Sequence, residues 1–151
     1  MNSMDLKKQL SAPVQQLWAE VEAIAGQVVD IRYSENLGGV LRSVTSAGQP
    51  VIEYKAEKYL DDQGVAEELL HHKLRYKGFP RLRFRPLPRR DGLRIESTLQ
   101  MLGDCAEHRI IYPILEAMGF SPRDGQAGAI RRQLGKVDWQ DVSECAYTAP
   151  I

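Results

Sequence analysis

Residues able to do chemistry concentrate in one ten-residue stretch, VAEELLHHKL, from Val65 to Leu74. Placed on a helical wheel, Val65, Ala66, Leu69, Leu70, Leu74 and Tyr76 fill one broad apolar arc. Glu67 and His71 stand one turn apart and flank that arc on the side of Leu74, while Glu68 and His72 form a second one-turn pair nearer the other side. A carboxylate and an imidazole at i and i+4 on a rigid helix can present an oxygen and a nitrogen donor to one metal ion. Glu68 then points to the side, where it can hold a water bound to that ion. The same residues also suit a solvated helix edge laced by i,i+4 ion pairs.

The segment resembles the H-E-x-x-H helix of zincin-type metallopeptidases, with Glu67-Glu68-Leu69-Leu70-His71 in place of the motif, so that glutamate replaces its first histidine. In that family the two histidines bind zinc and the glutamate between them acts as general base. Carried across by position, the resemblance makes His71 a metal ligand and Glu68 the base, with Glu67 where the first ligand belongs. It also implies a third ligand on a later helix, and His108 in GDCAEHRIIYP is the first choice. The order helix, small sheet, motif helix, later ligand helix is similar to minimal zincins too, over roughly residues 13 to 118. A set of Glu67, His71 and His108 suits zinc with water at a fourth position, or iron or manganese as a facial triad with open positions. The implied activity is hydrolysis of a peptide bond in a polypeptide substrate.

Several neighbours of His108 have alternatives. Asp104 at i−4 or Cys105 at i−3 can join a metal shell, or Asp104 can fix an imidazole tautomer from outside it. Cys105 also fits the commonest role of a free cysteine, a small core residue. Tyr112, one turn beyond His108, can stabilise an oxyanion in the same cleft, or can be a core tyrosine with its hydroxyl at the surface.

A second function class comes from charge. Residues 1–72 carry 11 acidic and 6 basic side chains, whereas 73–94 carry nine basic ones against Asp91 alone, which leaves that segment at +8 in a chain of zero net charge. Within it, RLRFRPLPRR alternates Arg81, Arg83 and Arg85 with Leu82 and Phe84. That pattern fits an edge strand with arginines in water, and equally a surface for an anionic partner such as nucleic acid. The alternative to an enzyme is therefore a non-catalytic zincin-like binding or regulatory protein that engages such a partner through residues 81–90. No glycine-rich phosphate loop, G-x-S-x-G elbow or CxxC pair is present, and no histidine lies near Cys145.

These residues must be held by a fold. The spacing of Val14, Leu17, Trp18, Val21, Ile24 and Ala25 predicts a helix over 13–25, capped by Ser11 and stopped by Gly26. Three β-like runs follow, QVVDIRY, GVLRSVTS and PVIEYKA, separated by the turn-prone ENLGG and SAGQP. They predict a small antiparallel sheet of about three to four strands. Asp61 and Asp62 open the motif helix, which runs to about Lys77 before Gly78 and Pro80. A further helical stretch is expected from Leu93 to about Met118, kinked or broken near Gly103 and Pro113 and ended by Gly119, then a short helical piece over about 129–134. The class is α+β, as one domain over 1–151 with its core at about 13–137 and flexible termini.

Composition bounds the rest. With 151 residues and 43% hydrophobic side chains the chain can bury ~70% of its extended surface, which excludes a disordered coil. No apolar run approaches the ~20 residues of a membrane helix, and the N-terminus lacks the apolar core of a secretory signal. Two cysteines are too few for a disulfide scaffold and fit a reducing, cytoplasmic compartment.

Overall fold

In the computed structural model the described residues are 2–37, 39–79 and 89–123, the side chains of 89–102 excepted. The chain divides into two compact units, Met1–Phe120 and Ser121–Ile151, and every element described here belongs to the first. The arginine-rich stretch with Arg81, Arg83 and Arg85, and the short helical piece expected near 129–134, lie outside the described residues.

The fold is α+β, as the succession of helical and β-like runs predicts. Helix α1, Ser3–Gln9, begins where the Asn2 side chain accepts the Asp5 amide, and α2 spans Ala12–Ala25 between Ser11 and a left-handed Gly26. Val14, Leu17, Trp18 and Val21 of α2 are buried as the spacing requires, whereas Ile24 in the last turn is 41% exposed. The core also begins earlier than residue 13, because Leu6 of α1 is only 2% exposed. Glu22 ties this corner together, accepting from Trp18 Nε1 at 2.9 Å, Lys7 Nζ at 2.7 Å and the Val29 amide at 3.2 Å. Desolvation pushes its carboxyl up, but these donors outweigh it and hold the group below the usual carboxylate range.

Strands β1 (Asp30–Tyr33), β2 (Leu41–Ser46) and β3 (Gln49–Tyr54) form one sheet in the order β1-β3-β2. The expected all-antiparallel arrangement is corrected at one pairing: β2 and β3 are antiparallel, but β1 runs parallel to β3 in register Ile31 to Ile52. The cause is local. Ala47 and Gly48 take φ of 49° and 86°, which closes a tight hairpin between β2 and β3. Residues 34–40 instead carry the chain past two strand spacings, ~10 Å, so β3 returns between its predecessors and becomes the buried central strand.

Helix α3, Asp62–Tyr76, starts at Asp61, whose carboxylate accepts the Gly64 amide at 2.7 Å. Its apolar arc of Val65, Ala66, Leu69 and Leu70 is buried against α2 and the sheet. Helix α4, Arg89–Ala117, is continuous through Gly103 and Pro113 and ends before Gly119 at φ 91°. Pro113 leaves the Arg109 carbonyl without its helical donor but does not break the helix. Ile111 and Leu115 of α4 are fully buried and lock it to α3.

Candidate metal centre

Two helices build the site. On α3, the 100° step per residue turns His71 and His72 to different surroundings although both are buried. His72 Nε2 donates to the Val51 carbonyl of β3 at 3.0 Å, and its ring packs on Tyr76, so it serves the helix–sheet contact and not the site. His71 faces α4 instead. Its Nε2 lies 3.3 Å from His108 Nε2, and His108 Nε2 lies 3.1 Å from Glu67 Oε1. Glu67, His71 and His108 thus each bring one donor atom within 4.8 Å of the others, the set that the spacing and the zincin resemblance select.

Those separations fit a metal ion. Ligand atoms 2.0–2.1 Å from a tetrahedral centre stand ~3.3 Å apart, close to the two edges at 3.3 Å and 3.1 Å. The donor set is chemically suitable as well, two imidazoles and a carboxylate being a common arrangement for divalent transition metals. Among the described residues it is the group of side chains so arranged.

The surroundings divide into a buried side and an open side. On the buried side, His71 Nδ1 meets the Glu107 carboxylate in a short contact, and both residues are 7% exposed. On the open side, Asp104 and Cys105 are exposed and outside the donor set. The reading of Cys105 as a core residue is thereby corrected: position 105 lies off the buried row that runs through Glu107, Ile111 and Leu115. Asp104 reaches the site through its field. Burial pushes His108 down, but the hydrogen bond and charge of Glu67, with the charges of Asp104 and Glu68, outweigh it and raise the imidazole above its ordinary pKa.

Glu68 faces β2. Desolvation raises its carboxyl above the usual range, against the pull of His71 and of hydrogen bonds from the Ser43 hydroxyl and backbone amide. Arg75 Nη1 donates to the carbonyl of the same Ser43 at 2.7 Å, so α3 covers both backbone groups of that residue. Tyr112 stacks nearly parallel on His108, centroids 4.7 Å apart at 17°, and desolvation with the charges of Glu67 and Cys105 pushes its hydroxyl up to about 12.

Two contributors were not singled out from sequence, Glu107 and Ser43. The signal for Glu107 existed in the i, i+4, i+8 row that places it with Ile111 and Leu115 on the buried stripe. Ser43 carries no such signal, since only the docking of α3 along β2 gives it a role. No helix among the described residues is long and apolar enough to cross a membrane. No family model, curated protein or solved structure matches the chain.

Proposed function

We propose that the chain is a zincin-like protein that holds one divalent metal ion, zinc in this reading, on Glu67, His71 and His108, and that it hydrolyses peptide bonds. The observation that carries the reading is the pair of donor separations, 3.3 Å between the imidazole nitrogens and 3.1 Å from His108 to Glu67. A bound divalent ion supplies Lewis acidity toward a peptide carbonyl and lowers the pKa of a water. Glu68 is the proton acceptor, and a carboxyl raised above its ordinary range is a stronger base at neutral pH. Tyr112, raised to about 12, keeps its proton at neutral pH and is the donor to a developing oxyanion.

Metal analysis tests the centre. Wild type purified without chelator is expected to carry near-stoichiometric metal that His71→Ala and His108→Ala both lose; wild type that is metal-free and cannot be reloaded with zinc overturns it. Cleavage of a fluorogenic casein tests the activity, with Glu68→Gln expected to abolish cleavage while keeping the metal.

Metal binding without turnover is the second reading, favoured by the two Ser43 hydrogen bonds that engage Glu68. The carboxylate of Glu67 acts in the same direction, because an extra negative charge on the ion weakens its power to acidify water. Metal-loaded wild type that leaves casein intact selects this reading. In that case Arg81, Arg83 and Arg85 are the proposed contact for an anionic partner. A salt-sensitive gel shift on DNA or RNA, lost on their replacement by alanine, is the expected result, and no shift at low salt removes nucleic acid from consideration.

A further inference from the structure

The geometry points to Glu107 as the positioning residue of this centre, holding His71 in the tautomer and orientation that turn its Nε2 lone pair toward the ion. This rests on the metal-binding reading above and adds a residue to it. A neutral imidazole has one N–H and one lone pair, so the partner of one nitrogen decides the role of the other. Glu107 contacts His71 at Nδ1, and a carboxylate there accepts the Nδ1 proton. The lone pair is then left on Nε2, the atom that lies 3.3 Å from His108 Nε2 beside the Glu67 carboxylate.

Burial makes the arrangement rigid. Glu107 and His71 are each 7% exposed, and a carboxylate so placed is costly unless it is paired and hydrogen-bonded. Glu107 shares its helical row with Ile111 and Leu115, both fully buried, so the packing of α4 fixes where its carboxylate sits. Its neighbour His108 leaves the helix about 100° away. One helix therefore supplies a ligand and, from the adjacent position, the group that aims the ligand of the other helix. Glu67 and Glu107 are each in contact with one imidazole of the pair.

The test uses the full chain, as wild type, Glu107→Ala and Glu107→Gln. Long-range nitrogen–proton NMR of the metal-free proteins reads the His71 tautomer, and titration with Zn²⁺ and with Co²⁺ reads affinity and the cobalt spectrum. Wild type is expected to show the Nδ1–H form, and Glu107→Ala a mixture with metal affinity lowered 10–100-fold. Glu107→Gln, whose amide oxygen still accepts the Nδ1 proton, should keep the tautomer and lose less affinity. Because it is nearly isosteric, it carries the test if the alanine variant fails to fold by circular dichroism. In that event, a Gln variant whose His71 no longer holds the Nδ1–H form yet binds metal as tightly as wild type overturns the role. Wild type that binds metal while a folded alanine variant binds equally and keeps the tautomer overturns the positioning alone. Wild type that binds neither ion overturns the centre and the positioning role with it.

Discussion

At position 67 a carboxylate stands where an imidazole would add no charge, and its Oε1 already lies 3.1 Å from His108 Nε2. An ion held as proposed would therefore meet a ligand set with one negative charge more than three histidines carry. Glu67→His should keep the metal and shift the pH midpoint of the cobalt-substituted spectrum down by about one unit, a tenfold change in the acidity of a water on the ion. Unchanged spectra across pH would show that the charge at 67 does not reach the ion. Where turnover occurs, the rising limb of its pH profile should move with the spectrum. The Glu67–His71 pair was legible because helical spacing alone puts i and i+4 on one face. His108 was reachable only through the zincin resemblance, because no spacing rule links residues 37 positions apart. The exposed Cys105 misled for the opposite reason, since composition favours burial of cysteine while the helical row decides it.

At the scale of elements, the site depends on α3 lying close along β2. Gly64 in the first turn of α3 permits that approach: a Cβ there would lie 2.7 Å from Leu41 Cδ1 and 3.0 Å from the Tyr59 carbonyl. The leucine methyl can rotate away, but the backbone carbonyl cannot do so cheaply. Gly64→Ala gains up to ~1 kcal/mol of helix propensity and loses ~1–3 kcal/mol to overpacking. A net destabilisation of ~1 kcal/mol in urea unfolding is expected, together with weaker zinc binding; a stabilised variant with intact affinity would refute the close approach. The start of α3 and the stops of α2 and α4 were legible from sequence because they rest on local chemistry, Asp61 before α3 and the glycines beyond α2 and α4, whereas α1 and the start of α4 at Arg89 instead of Leu93 were not. The parallel pairing of β1 was not, because strand alternation reports which face is buried and says nothing about which neighbour a strand takes.

For the whole molecule, an ion held as proposed would compete with a proton for His108. His108 has its pKa raised above 6.5 by Glu67, Asp104 and Glu68 against the opposing effect of burial. A raised folded-state pKa means that the bound proton stabilises the metal-free fold fully below the unfolded value of about 6.5, and that this contribution is lost as pH rises through the folded value. Over the same window the imidazole becomes free to bind an ion, since ligation requires the deprotonated nitrogen. Stabilisation by metal follows RT ln(1 + [L]/Kd), about 2.7 kcal/mol at a hundredfold excess over Kd. At a fixed zinc concentration the gain in Tm should therefore be small at pH 6 and grow toward pH 8, while the metal-free Tm loses the His108 contribution over the same range. Calorimetry of wild type with and without zinc at each pH measures both slopes. In His108→Ala the zinc-induced gain should be lost at every pH, since a ligand is gone. A wild-type gain equal at pH 6 and pH 8 would mean that the ion binds elsewhere and that the convergence of α3 and α4 on Glu67, His71 and His108 has another purpose.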